Sequence, residues 1–141
     1  MSEMSDHLAF NRSVIEEFRA NNGKTSGPFA EAPLLLLTTT GVKSGESRTS
    51  PLVHTIDGDD VVIIASKAGA PSHPDWYRNI VANPEVTVEL PGDTFKAVAT
   101  VVSEPRRTEL YDAQAAVMPN FAEYAKATTR TIPVVVLSRT P

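Results

Sequence analysis

The chain contains no cysteine in its 141 residues. Disulfides, thiolate metal sites and cysteine nucleophiles are therefore excluded. Long apolar runs are also missing. The longest, Pro33–Leu37 and Val61–Ala65, suit buried strands and fall far short of a membrane span. There is no surplus of positive charge. With a formal net charge of −4, bulk attraction to nucleic acid is not expected, and an anionic ligand needs a local basic pocket. The opening MSEMSDHLAF carries acids where a secretory signal has a basic region and an apolar run, so the cytoplasm is the expected location. What remains is ordinary: 41% hydrophobic and 21% charged residues read as one folded domain over 1–141.

Several catalytic signatures are absent as well. His7, His54 and His73 are scattered, with no HxH, HExxH or paired-carboxylate spacing, so no metal site is expected. There is no GxSxG elbow, no Walker loop, and no GxGxxG between a strand and a helix. The acidic cluster Asp57-Gly58-Asp59-Asp60 lacks the rest of a calcium loop and reads as a hairpin turn.

The patterning predicts a helix over 5–22, capped by Ser5 or Asp6, with Phe10, Val14 and Phe18 on one face and Gly23 as the stop. Strands are expected at Pro33–Thr40, at Arg48–Ile56 with Pro51 marking a bulge or an edge, and at Val61–Ser66. After the loop KAGAPSHPD, Asp75 caps a short helix WYRNIVAN. Glu85–Leu90 alternates cleanly, Pro91-Gly92-Asp93 turns, and Thr94–Val102 returns. Helices over 105–117 and 120–128, divided by Pro119, precede a last apolar strand, Ile132–Ser138. The sum is a mainly β (α+β) domain: about six antiparallel strands with flanking helices, closed or nearly closed into a barrel.

Two basic segments stand at strand ends. Thr38-Thr39-Thr40-Gly41-Val42-Lys43-Ser44-Gly45-Glu46-Ser47-Arg48 combines glycines, hydroxyls and two cations, a set able to cradle an anion or simply to form a polar hairpin. In Ala65-Ser66-Lys67-Ala68-Gly69-Ala70-Pro71, Lys67 is the one formal charge between Val61 and Pro74. By itself it reads as a strand-end lysine in water; two such segments in one small sheet favour a shared anion site over two separate solvated loops. Trp76, the single tryptophan, can stack on a flat ring or seal the barrel. Met118, Phe121 and Tyr124 repeat at three-residue spacing, as a packing face or the roof of a pocket.

The stretches FRANNGKTSGPFAEAPLLLLTTTGVKSGESRTSPLV, IIASKAGAPSHPDWYRNIVANPEVTVEL and IPVVVLSR, in that order, resemble the deazaflavin (F420)-dependent nitroreductase family over about Asn11–Leu137. The resemblance implies a split β-barrel and hydride transfer from reduced coenzyme F420 to a quinone, a conjugated alkene or a nitroaromatic. It implies that Lys43 and Arg48, helped by Ser44 and Gly45, hold the coenzyme phosphate. Lys67 with Ala65 and Ser66 would line the phosphate and ring region. Pro51 and Leu52 would border the ring, with Trp76 and Asn79 closing its other side and Lys24 meeting the oligoglutamate tail. The proton that completes the reduction is left open between solvent, Ser66 and Tyr124. Where relatives that reduce bulky nitroheterocycles carry several tyrosines, this chain has Met118, Phe121 and only Tyr124, and Val53 follows Pro51-Leu52. A different acceptor is therefore expected. The alternatives are an FMN-dependent oxidoreductase on the same barrel and a non-catalytic deazaflavin-binding protein. Monomer and homodimer both stay open. The mixed charges of the first helix favour packing on the barrel over a peripheral membrane contact.

Overall fold

Strand pairing explains why a chain of short apolar runs closes on itself. The computed structural model describes residues 3–25 and 33–140, with side chains from Phe10 onward. Helix α1 (Glu3–Ala20) is followed by strands β1 (Leu34–Thr40), β2 (Ser47–Val53), β3 (Thr55–Asp57) and β4 (Asp60–Ile64). A 3-10 turn (Lys67–Gly69), helix α2 (Asp75–Ala82), β5 (Glu85–Leu90) and β6 (Asp93–Val101) come next. Helices α3 (Arg106–Val117) and α4 (Asn120–Ala127) then lead to β7 (Val134–Arg139). All the strand pairs are antiparallel, in the order β2-β1-β5-β6-β7-β4-β3.

The expected single strand Arg48–Ile56 is two strands, which makes the total seven. Only His54 separates β2 from β3, yet they are the two outer strands of the sheet. The first half pairs with β1 (Leu35 opposite Leu52) and the second with β4 (Thr55 opposite Val62). A sheet whose two edges are successive parts of one segment has to curl, and the result is the split barrel. Pro51 is tolerated because β2 pairs on one side only. The acidic turn is a two-residue hairpin, Asp57 opposite Asp60, with Gly58 at φ 62 where an L side chain would be strained.

Side chains alternate across each strand, and here both faces of three strands are covered. Leu35 and Leu37, Val61 and Ile63, Val135 and Leu137 meet Val86, Val88, Ala97 and Ala99 inside the barrel. Leu34 and Leu36 point outward and pack under Val14 and Phe18 of α1. Val62, Ile64, Val134 and Val136 point outward under Tyr111 and Phe121 of α3 and α4. That is why these strands read as continuous apolar runs. Phe10, expected on the packed face of α1, is 42% exposed.

Several expected boundaries shift, among them β4, which ends at Ile64, not at Ser66. Helix α1 begins at Glu3, so Ser5 and Asp6 lie within it and neither occupies the cap position. Pro74, not Asp75, precedes α2; Asp75 sits in the first turn and accepts a bond from Arg78. Strand β7 starts at Val134 because Pro133 has no N–H for the ladder, although its carbonyl still accepts from Ala65.

The register defines two ends. β1, β4 and β6 finish at one end, here the mouth, where β2, β5 and β7 begin. The β5–β6 turn at Pro91-Gly92 lies at the other end, separated from the mouth by the length of β1, roughly 20 Å.

Candidate functional site

The connection from β1 to β2 is a tight loop at the mouth. Gly41 N–H donates to Glu46 O (2.8 Å) and Gly45 N–H to Gly41 O (2.9 Å). A side chain at Gly41 would meet Ser44 Oγ at 2.8 Å and Glu46 O at 3.3 Å, so the loop closes this tightly only on glycine. Ser44 Oγ accepts from Glu46 N–H, so the hydroxyl is engaged within the loop. The whole loop is anchored to α2: Asn79 Nδ2 donates to Thr39 Oγ1 (3.0 Å), and its Oδ1 accepts from Val42 N–H (3.2 Å). Lys43 is exposed on this loop. Arg48 stands opposite Thr39 and makes an exposed ion pair with Glu46 at 3.3 Å.

The second loop leaves β4 at the same end. Ala65 and Ser66 are buried, while Lys67 and Ala68 are exposed at φ 48 and 53. Neither is glycine, so each stores about 1–3 kcal/mol of backbone strain. Such a turn persists only where its surroundings over-determine it. Gly69, at φ 80, is pressed against α4, where an added Cβ would lie 2.9 Å from Ala127 Cβ and 3.0 Å from Tyr124 O.

Arg130, which sequence reasoning missed, holds the loop from behind. Its Nε donates to Ala70 O (2.9 Å) and its Nη2 to Ser66 O (2.8 Å) and Ala65 O (3.1 Å), while Nη1 meets His73 Nδ1 at 3.0 Å. Its only sequence signal was a lone cation ahead of the apolar run IPVVVL, which does not reveal its partners some 60 residues earlier.

That contact requires a neutral imidazole, because a guanidinium can only donate. Burial chiefly, then Arg130 and Arg78, push the His73 pKa below its ordinary 6.5. Burial likewise lowers His54, whose Nδ1 has no partner among the described residues at the corner between β2 and β3. With both folded-state values depressed, the unfolded chain takes up these protons first as pH falls. Stability should therefore be full above pH 6.5 and drop as pH descends through the folded values. Melting curves from pH 7.5 downward check this. His73→Gln should shallow the slope, and an unchanged profile would contradict the assignment.

The other expected site residues separate. Trp76 is 7% exposed and packs inside the barrel, so it offers no open face to a ring. Asn79 is committed to Thr39 and Val42, which makes it the anchor of the first loop and not a wall. Pro51 and Leu52 are successive strand residues and point to opposite faces; Leu52 packs against the barrel interior. Lys24 is not at the mouth, because α1 ends against the far turn: a Cβ on Gly23 would lie 2.3 Å from Pro91 Cγ. Tyr124 flanks the 3-10 turn, and its hydroxyl accepts from Asn120 Nδ2 (2.9 Å). Phe121 is buried and Met118 packs beside it in the outer cluster, so these two serve packing. Among the described residues no helix is long and apolar enough to cross a membrane.

The comparisons with known proteins bear on this geometry. A family model described as F420H(2)-dependent quinone reductase matches residues 10–139. The chain belongs to that family. An F420H(2)-dependent quinone reductase of Mycobacterium tuberculosis is 38% identical over 126 residues, covering 86% of this chain and 85% of the relative. A solved F420-H2 dependent reductase superposes with a TM-score of 0.70 at 36% identity, covering 75% of this chain and 94% of that one. A structure described as a domain-swapped dimer gives 0.71 at 32% identity, covering 96% and 100%. As a member of the F420H(2)-dependent quinone reductase family, this protein is an oxidoreductase whose cofactor is coenzyme F420. Its donor set suits that coenzyme. Lys43, Arg48 and Lys67 gather at one end of an otherwise acidic molecule, which is what a phosphate-bearing, carboxylate-tailed ligand requires.

Proposed function

We propose that this protein reduces a quinone at the barrel mouth, where Lys43, Arg48 and Lys67 hold the anionic part of F420. The observation that carries this reading is that two constrained loops leave the sheet at one end, the first tied by Asn79 to the helix that follows the second. When bound, reduced F420 supplies a hydride, and one proton completes conversion of the quinone to the hydroquinone. The protein's residues position and desolvate the reactants. Lys43 and Arg48 neutralise phosphate oxygens. Arg48 is free to turn toward them because its exposed pair with Glu46 is worth little in water. Ser66 and Tyr124 bring hydroxyls to the second loop as proton sources alongside solvent. The Tyr124 oxygen accepts from Asn120, so its own hydrogen stays available to donate.

Titration of the protein with F420, followed through Trp76 fluorescence, should saturate at micromolar levels, with a much weaker response to FMN. Oxidation of reduced F420 should then depend on menadione more than on a nitroaromatic or an enone. Binding without turnover of any of the three would leave a carrier protein, and tighter binding of FMN would make this a flavin enzyme.

A further inference from the structure

We propose that Arg130 is a positioning residue for the coenzyme: it fixes the Ser66–Ala68 backbone as an anion-binding nest at the mouth. The inference rests on the F420 reading above and adds to it a residue outside both candidate loops. Arg130 draws the carbonyls of Ala65 and Ser66 toward itself. Because each peptide is planar, with its C=O and the next N–H pointing opposite ways, the N–H groups of Ser66 and Lys67 face away from the guanidinium. Among the described residues neither N–H has an acceptor. Ser66 is right-handed (φ −76, ψ −39) and Lys67 has positive φ (48), the succession that turns consecutive N–H groups toward one point.

The guanidinium also lacks a carboxylate partner among the described residues. Its acceptors are the neutral carbonyls of Ala65, Ser66 and Ala70 and the imidazole of His73. Its charge therefore stands uncompensated behind the nest, and its field favours an anion on the far side. Since Lys67 and Ala68 resist positive φ, the nest depends on this clamp and on Gly69 docking against α4.

Arg130→Lys keeps the charge but gives one nitrogen in place of a planar fork that reaches four acceptors. It should raise the KM and Kd for F420 about tenfold, the size of a lost charge-assisted bond, and leave the quinone KM within about twofold. Adding Ala68→Gly should recover part of the loss, because glycine takes positive φ without a steric penalty. A clamp that merely stabilises the fold would show no such rescue. His73→Phe is a milder probe that removes one acceptor and no carbonyl; it should weaken F420 binding by about threefold. If Arg130→Lys does not fold, His73→Phe decides: unchanged binding overturns the proposal. It is equally overturned if folded Arg130→Lys binds F420 as the native protein does, or if the double variant is no better than the single one. Failure of the native protein to bind F420 would instead remove the functional reading itself.

Discussion

Replacing Lys43 or Arg48 with alanine is expected to weaken F420 binding by about 1.5–3 kcal/mol each, or roughly 10- to 150-fold. Each cation supplies charged hydrogen bonds that no neutral neighbour replaces. The fold should be unaffected, because Lys43 is exposed on a loop and Arg48, among the described residues, pairs only with exposed Glu46. Circular dichroism and the melting temperature should therefore match the native protein. The double variant should lose less than the sum, since both side chains approach one phosphate. Lys24→Ala is the internal control: Lys24 lies by the far turn and its removal should leave affinity unchanged. Normal binding by both single variants would place the phosphate elsewhere.

The largest effects on stability are expected in β1. Leu36 and Leu37 are both fully buried but point to opposite sides, Leu36 under α1 and Leu37 into the barrel. Each substitution to alanine should cost about 2–5 kcal/mol in denaturant unfolding, from lost burial plus the cavity left behind. An ordinary half-buried strand would show one large and one small effect. Val98→Ala, on β6 where the valine is 41% exposed, should stay within about 0.5 kcal/mol. A near-neutral Leu36→Ala would mean that α1 does not hold its place on the sheet.

Much of the fold was legible because its signals are local. Alternation in Glu85–Leu90 marked β5 with its observed bounds. The Asp57–Asp60 and Pro91–Asp93 turns gave their hairpins, since turn chemistry is carried by a few adjacent residues. The two C-terminal helices emerged from their separation by Pro119. The loops bearing Lys43 and Lys67 were visible for the same reason: glycine, small residues and cations cluster in a short span.

Other features had no local mark. Nothing around His54 distinguishes one long strand from a strand that changes partners there, because pairing is chosen by residues far along the chain. Trp76 could stack on a ring or seal the barrel, and only the curled sheet consigned it to the interior. Lys24 carried a charge that suits an anionic tail, but the docking of α1 set it beside the β5–β6 turn, away from the mouth.

By itself the sequence determined the strands other than the division at His54, the turns, the acidic balance that confines an anion to a local basic pocket, and the two cationic loops. All of these follow from backbone preference, side-chain period and charge, which act between near neighbours. Tertiary structure alone decided that the loops share one mouth, that Asn79 braces the first, and that Arg130 restrains the second. Those outcomes depend on strand register and on buried polar groups finding partners across the fold, and neither constraint exists until the sheet has closed.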